Sequence, residues 1–103
     1  MKKKIDGKRY DTEAATSIAS YEWGNPSDFH HVSEELYLTT NGNYFLHGKG
    51  GSMSKYRESV TNNSWEGGET ILPFSKEEAI AWLEVHGKTK ALEKHFPESI
   101  QDA

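Results

Sequence analysis

The feature that most constrains the fold is the dipeptide Asn41-Gly42, which lies between two apolar, aromatic-rich runs. Asn-Gly is the favoured pair for a two-residue type I′ turn, because both of its residues tolerate positive φ. The run before it is ELYLTT and the run after it is NYFLHG. We therefore predict a β-hairpin with strands near 35–40 and 43–48.

Pairing outward from a two-residue turn fixes which side chains share a face of this hairpin. Leu38 then lies opposite Phe45 on one face, and Tyr37 lies opposite Leu46 on the other. Both faces carry apolar or aromatic groups, whereas a hairpin with one face in water shows a polar face. The hairpin is therefore expected at the centre of a sheet, or covered by helices or a partner.

The N-terminal third predicts strand followed by helix. The turn signal Asp6-Gly7 suggests two short strands, or one bent strand, near 3–10. Asp11 or Thr12 can cap a helix near 12–22, in which the apolar residues recur at helical spacing. Gly24 and Pro26 would end that helix, since glycine suits the C-cap and proline cannot continue it.

The C-terminal third predicts a strand and two helices. Residues 69–73 form a short strand, and Pro73 places it at a sheet edge. Ser75 and Glu78 have the spacing of a capping box, so a helix begins there and ends at Gly87. Its apolar face is expected to hold Ala79, Trp82, Leu83 and His86, with Ile80 beside them. A second short helix runs from Thr89 to Phe96 and stops at Pro97.

These elements predict an α+β fold. A small antiparallel sheet, made of the strands near 3–10, 35–40, 43–48 and 69–73 with the hairpin at its centre, carries one N-terminal helix and one or two C-terminal helices packed on it. The 103 residues fit a single domain spanning 1–103, with a frayed C-terminal tail at about 97–103.

A glycine-rich loop, Gly48-Lys49-Gly50-Gly51-Ser52, follows the hairpin. Its lysine precedes the paired glycines, which excludes a nucleotide-binding P-loop. A looser anion contact and a simple turn into the next strand both remain open. Residues 58–68 are predicted as loop, with Trp65 expected in the core and an exposed contact as the alternative. Asn62-Asn63-Ser64 matches a glycosylation acceptor, which matters only in a secreted protein.

Composition excludes several chemistries. The chain has no cysteine, which rules out disulfides, thiolate metal sites and cysteine nucleophiles. No apolar run approaches the roughly 18 residues that a membrane span needs, and the basic start MKKKIDGKRY lacks the apolar segment of a signal peptide. We therefore expect a soluble cytoplasmic protein that contacts no membrane.

Charge is distributed in bands. Residues 11–48 contain six acids and no lysine or arginine, although the whole chain has a net charge of only −4. Basic residues cluster at 1–10 and again at 49–57. A broad nucleic-acid footprint would need a net basic domain. The pattern favours an acidic face for a basic partner, or an ordinary solvated surface, with a small basic patch beside the glycine-rich loop.

No catalytic or metal-binding constellation is present in the sequence. His30 and His31 are adjacent and diverge, which makes them a poor metal clamp. The paired carboxylates Glu34-Glu35 and Glu77-Glu78 would point apart for the same reason. We therefore expect a protein that is not an enzyme and that holds neither a metal nor a cofactor.

Three segments form a set with a family resemblance. They are KRYDTEAATSIASYEWGNPSDF, LYLTTNGNYFLHGKGGSMSKY and ILPFSKEEAIAWLE. The set resembles a family of small bacterial proteins carried on phages, conjugative elements and other mobile DNA, over roughly residues 5–86. The run Tyr44 to Tyr56 is its most specific part. The resemblance implies accessory or anti-defence work, such as anti-CRISPR-like inhibition of a host component by binding it.

The expected function is therefore protein binding, as a mobile-element inhibitor that docks on a host defence protein such as a CRISPR effector. The rival is contact with a nucleic-acid phosphate backbone through the loop from Lys49 to Arg57. A homodimer is also open, because exposed faces of the hairpin would mark one. The candidate partner-binding residues are Glu34, Glu35, Tyr37, Tyr44, Lys49, Lys55, Tyr56, Arg57 and Trp65.

Overall fold

The computed structural model describes residues 1–61 and 64–103. The first two residues of the predicted glycosylation acceptor, Asn62 and Asn63, lie outside the described residues. The strands are β1 (Lys2–Ile5), β2 (Lys8–Asp11), β3 (Thr16–Trp23), β4 (Val32–Leu38), β5 (Tyr44–Gly50), β6 (Glu58–Thr61), β7 (Ser64–Glu66) and β8 (Gly68–Phe74). The helices are α1 (Lys76–Val85) and α2 (Thr89–His95), followed by a 3₁₀ turn at Pro97–Ser99.

The main sheet is antiparallel and has the strand order β3-β4-β5-β8. The predicted hairpin, β4–β5, occupies its two central positions. Helices α1 and α2 cover one face and the separate β1–β2 hairpin covers the other. The predicted α+β class with a central hairpin is therefore confirmed. The edge position of Pro73 is confirmed too, since β8 is an outer strand.

The turn of the central hairpin differs from the prediction. The amide of Gly42 donates to the carbonyl of Thr39 (3.0 Å), and the amide of Thr39 donates to the carbonyl of Asn43 (2.8 Å). Gly42 has φ 84°, whereas Asn41 is not among the described residues with positive φ. This is a three-residue loop in which a type I turn is followed by a left-handed glycine.

That longer loop moves the register by one residue. Tyr37 lies opposite Phe45, and Leu36 lies opposite Leu46. The predicted pairs of Leu38 with Phe45 and of Tyr37 with Leu46 are wrong for this reason. The inference that both faces are apolar still holds, because Leu36 and Leu46 enter one core while Tyr37 and Phe45 enter the other.

The predicted N-terminal helix near 12–22 is wrong, because Thr16–Trp23 forms the edge strand β3. The strand contains the β-branched residues Thr16 and Ile18 and the aromatic residues Tyr21 and Trp23, which favour a pleated surface. Pairing with β4 outweighs the weak helical periodicity of the alanines. A bulge at Ile18 interrupts the register between Ser17 and Ala19.

A two-residue turn with positive φ at both positions occurs in the β1–β2 hairpin. Asp6 has φ 50° and Gly7 has φ 80°, as a type I′ turn requires. The two short strands predicted near 3–10 are present, but their expected place in the main sheet is wrong, because they pair only with each other in a separate sheet of the described residues. Their hairpin brings Tyr10 onto the second core, where its ring meets Phe45 edge-on with centroids 5.5 Å apart.

The C-terminal helices match the prediction. Ser75 and Glu78 form both bonds of the capping box. Gly87 has φ 64°, and Lys88 donates to the carbonyl of Leu83 (2.8 Å), which closes α1 with a Schellman motif. The buried residues of α1 are Ala79, Trp82 and Leu83, and Phe96 after α2 joins the same core. No helix in the described part of the chain is long and apolar enough to cross a membrane.

Residues 58–68 are less irregular than predicted. Strands β6 and β7 form a small antiparallel pair in which Ser59 lies opposite Trp65. Trp65 is 49% exposed, so its expected place in the core is wrong. The guanidinium of Arg57 lies 4.5 Å from the centroid of its ring. The indole therefore makes a cation–π contact at the surface.

Candidate functional site: the Glu34 cleft

The candidate site is built around Glu34 on the central strand β4. Because side chains alternate along a strand, Glu34 lies on the same face as Leu36, the face that α1 covers. Only 1% of its surface is exposed. A carboxylate in this position loses most of its hydration and must be compensated by donors and a countercharge.

Three groups from distant parts of the chain supply that compensation. The indole Nε1 of Trp82 on α1 donates to Glu34 Oε1 (3.0 Å). The hydroxyl of Tyr56 donates to Oε2, and Nζ of Lys55 lies 2.7 Å from the same oxygen. The carboxylate thus joins the central strand, the loop after β5 and the first helix.

The glycines of the loop make this arrangement possible by removing side chains. A Cβ at Gly48 would overlap the ring of Tyr56, and a Cβ at Gly68 would overlap its backbone carbonyl. A Cβ at Gly51 would lie 2.5 Å from the carbonyl oxygen of Phe29. The glycine-rich run therefore lets the loop lie directly against the sheet, so that Tyr56 reaches Glu34.

Beside the carboxylate is an open cleft of about 360 Å³. Its walls come from β5, β8, α1 and the loop, and are largely aromatic and aliphatic. The lining residues are Glu34, Leu46, Lys55, Tyr56, Thr70, Leu72, Phe74, Trp82 and His86. We call this set the Glu34 cleft. Its volume is in the range of about 300–1,000 Å³ that is usual for ligand sites.

Burial and hydrogen bonding shift the pKa values of Glu34 and Tyr56 in the cleft. Burial alone would raise the pKa of Glu34, but hydrogen bonds from Lys55, Tyr56 and Trp82 outweigh it and keep that pKa below its ordinary value. Burial, reinforced by the adjacent carboxylate, raises the pKa of Tyr56 far above its ordinary range. At neutral pH Glu34 is therefore a carboxylate and Tyr56 a neutral phenol.

His86 completes the inner wall. Its ring stacks on Tyr21 with centroids 3.9 Å apart, and it meets Trp82 edge-on at 4.8 Å. Its Nε2 is 3.8 Å from Glu34 Oε1. Burial lowers the pKa of His86 more than Glu34 raises it, so the imidazole is neutral at pH 7.

The pKa shifts of Glu34 and Tyr56 move both groups away from the values that suit a general acid or base. A general acid or base works best with a pKa near the working pH. Here the pKa of Glu34 moves down and that of Tyr56 moves up, away from neutrality on both sides. The arrangement fixes a negative charge beside a largely apolar cleft.

The structure brings three of the predicted site residues together, namely Glu34, Lys55 and Tyr56. Glu35 and Tyr37 lie on the opposite face, where the Tyr37 hydroxyl donates to Glu35 (3.0 Å). Tyr37 and Tyr56 are both buried, but only Tyr56 is among the residues that line the Glu34 cleft.

The other four predicted residues lie apart from the cleft. The ring of Tyr44 packs on Phe96, with centroids 5.3 Å apart. Lys49 is exposed and lies opposite Glu69 across the β5–β8 pair. Arg57 and Trp65 form the surface stack described above.

Trp82 and His86 were predicted as the apolar face of α1, and their role around a carboxylate was missed. The signal was present in β4, where Glu34 alternates with Leu36 and Leu38 and so had to share their buried face. A charged residue in phase with core positions predicts a buried, compensated charge.

Comparisons of the chain with protein-family models, with curated proteins and with solved structures gave no match. The resemblance to mobile-element proteins therefore stays a prediction.

Proposed function

We propose that this protein is a non-enzymatic protein-binding module that seats a lysine or arginine side chain of its partner in the Glu34 cleft. The observation that carries the proposal is the carboxylate of Glu34, buried to 1% exposure at the floor of an open cleft. Its countercharge comes from Lys55, whose side chain is 63% exposed.

Lys55 acts as an internal stand-in for the partner's cation. It approaches the carboxylate from the solvent side, on a long side chain that loses rotamer entropy when it is held in place. Exchange of Lys55 for an incoming ammonium or guanidinium group therefore keeps the charge balanced.

The walls of the cleft suit the same ligand. Tyr56, Trp82 and Phe74 surround the carboxylate with aromatic surface, which attracts cations through the ring quadrupole. Leu46 and Leu72 can pack against the methylene groups of a lysine or arginine side chain. A carboxylate within an aromatic wall thus recognises both the head and the stem of a basic residue.

The first test follows the indole N–H of Trp82 by NMR in the wild-type protein. Short, terminally blocked peptides containing lysine, arginine or norleucine are added at equal ionic strength. The cationic peptides should shift the Trp82 signal, while norleucine and the signals of the exposed Trp23 and Trp65 serve as controls. Equal responses to the cationic and neutral peptides would contradict the proposal.

A second test removes the internal cation. Lys55→Ala deletes the chemical equivalent of propylammonium, so added propylammonium should raise the melting temperature of this variant more than sodium chloride or propanol does. The effect should vanish in the double variant with Glu34→Gln. A rise of the same size in both variants would show that Glu34 does not select the cation.

The class of partner follows from the sequence resemblance, which implies a host defence protein such as a CRISPR effector. A defence nuclease should then be inhibited by the wild-type protein and less by Glu34→Gln. Glu35→Gln is the matched control, because it removes the same charge from the opposite face of the sheet. Inhibition that is unchanged by Glu34→Gln would place the contact elsewhere on the molecule.

A nucleic-acid function is favoured by one observation, the stack of Arg57 on the exposed Trp65. Arginine and aromatic side chains together hold single strands through phosphate contacts and base stacking. Affinity for single-stranded DNA should then fall steeply with salt and with Arg57→Ala. The absence of binding at low salt would end this alternative.

A further inference from the structure

A second surface, independent of the Glu34 cleft, lies between the edge strand β3 and helix α2. It is a groove of about 700 Å³. The groove is lined by Ser17, Ile18, Ala19, Ser20, Gly87, Lys88, Thr89, Lys90, Ala91, Lys94 and His95. We call it the β3–α2 groove. It shares no lining residue with the Glu34 cleft.

One side of the groove is a free strand edge. In the described part of the chain β3 pairs only with β4, so the backbone groups along its outer edge have no strand partner. Four consecutive residues, 17–20, border the groove. Because the register is interrupted at Ile18, Ile18 and Ala19 both pack toward the helix-covered core, so the groove lies where that face meets the strand edge.

The edge carries little of the protection that natural sheets use. Edge strands are usually guarded by lysine, proline, a bulge or very short length. β3 has eight residues and contains neither lysine nor proline, and its bulge at Ile18 is its one irregularity. An edge of this kind is suited to pairing with an added strand.

The other side of the groove is basic, although the whole chain has a net charge of −4. Lys88, Lys90 and Lys94 line it, and none of the described residues that line it is acidic. Glu35 reaches Ser17 from the opposite face of the sheet and is already bonded to Tyr37. An incoming strand would therefore meet a one-sided positive field.

We propose that the β3–α2 groove binds an extended, acidic segment of a partner protein as an added antiparallel or parallel strand on β3. Main-chain hydrogen bonds to β3 would provide the pairing, and the lysines would select carboxylate side chains. A second copy of this chain fits less well, because twofold pairing of β3 with β3 would bring two lysine-rich grooves together.

The test uses a terminally blocked probe peptide of about ten residues that alternates glutamate and valine. Binding should slow amide hydrogen exchange along β3 and leave exchange in the edge strand β8 unchanged. A peptide in which glutamine replaces glutamate should bind about tenfold more weakly, because it lacks the charges that the lysines select.

Two matched triple variants each replace three lysines with glutamate, one in the β3–α2 groove and the other in β1. Lys88→Glu, Lys90→Glu and Lys94→Glu together should weaken probe binding about tenfold or more. Lys2→Glu, Lys3→Glu and Lys4→Glu together change the net charge equally, but alter β1 on the other side of the sheet. Circular dichroism establishes that both triple variants are folded before their affinities are compared.

Several results would overturn the proposal. Equal weakening by both triple variants would show that the peptide senses only net charge. Protection of β8 in place of β3 would put the added strand at the other edge. Sedimentation showing a dimer that the probe does not dissociate, with β3 protected in it, would assign the edge to a second copy. Glu34→Gln should leave probe binding unchanged, which separates this proposal from the Glu34 cleft.

Discussion

Glu34 and Glu35 are neighbours on the central strand, yet they are placed in opposite surroundings. Each accepts a hydrogen bond from a tyrosine hydroxyl, Glu34 from Tyr56 and Glu35 from Tyr37. Glu34 lies in the helix-covered core and is almost fully buried. Glu35 lies on the other face, where it remains partly exposed and also accepts a bond from Ser17.

The comparison shows that the burial of a carboxylate, and not the identity of its hydrogen-bond donor, decides which further donors and countercharges it requires. In addition to the phenol, the buried carboxylate accepts a hydrogen bond from an indole N–H and forms an ion pair with an ammonium group. The partly exposed one is satisfied by two hydroxyl groups, since water still solvates it. Of the two carboxylates, Glu34 is the one that lines the Glu34 cleft in the described part of the chain.

The largest difference is expected when each carboxylate is made neutral. Glu34→Gln should lower the free energy of unfolding by about 3 kcal/mol, because it breaks a buried charged network. Glu35→Gln should cost about 0–1 kcal/mol, as is usual for exposed polar pairs. Urea unfolding of the two variants measures both values. Equal losses would mean that burial does not distinguish the two sites.

Removal of the two tyrosine hydroxyls should give a smaller difference in the free energy of unfolding, again with the larger loss at Glu34. Tyr56→Phe removes a donor to a buried carboxylate and should cost about 1.5–3 kcal/mol. Tyr37→Phe should cost about 1 kcal/mol or less, because water can replace its hydroxyl at Glu35. Burial and the Glu35 carboxylate raise the pKa of Tyr37 to about 12. A larger loss for Tyr37→Phe than for Tyr56→Phe would reverse the comparison.

Gly48→Ala tests the packing that brings Tyr56 to Glu34. The added methyl would overlap the ring of Tyr56, and overpacking of this kind costs about 1–3 kcal/mol. The neighbouring exposed residue provides the control, since Lys49→Ala changes the same strand without touching the ring. If Tyr56 is displaced, the cost of Gly48→Ala should shrink in a background that carries Tyr56→Ala.

Lys55→Met should lower the free energy of unfolding at neutral pH by about 1–3 kcal/mol, because it leaves the buried carboxylate of Glu34 without its countercharge, and this loss should depend on pH. In the wild type the folded-state pKa of Glu34 lies below its ordinary value of 4.5. The resulting stabilisation is present above that value and is lost as pH falls through the folded pKa.

Without Lys55 the pKa of Glu34 rises, so less stabilisation remains to be lost in acid. The gap in stability between wild type and Lys55→Met should therefore narrow below about pH 4.5. Thermal unfolding between neutral pH and about pH 3 measures it. A gap that stays constant over this range would show that Lys55 does not govern the ionisation of Glu34.

Local chemistry predicted the parts of the fold that depend on short sequence spans. The capping box at Ser75, the end of α1 at Gly87, the Asp6-Gly7 turn and the central hairpin all follow from residues that act within a few positions. Strand β3 was missed because its helical periodicity is local, whereas its pairing with β4 is not. The register of β4 with β5 was missed by one residue because Asn41-Gly42 is compatible with more than one turn.

The site was predictable only in part. Glu34, Lys55 and Tyr56 were among the candidates, but as exposed contacts and not as one network. Their convergence depends on Trp82, which is 48 residues from Glu34, and on glycines whose role is to leave space. A missing side chain carries no signal until its neighbour in space is known, so the packing of Tyr56 over Gly48 could not be derived from spacing.

The long sequence separations around Glu34 also have a kinetic consequence. Glu34 belongs to a hairpin that local contacts can form early, whereas its partners lie 22 and 48 residues further along the chain. The carboxylate can therefore stay hydrated until the loop and α1 have docked, which puts its dehydration late in folding. Substitutions at Glu34 should then accelerate unfolding while leaving the folding rate almost unchanged.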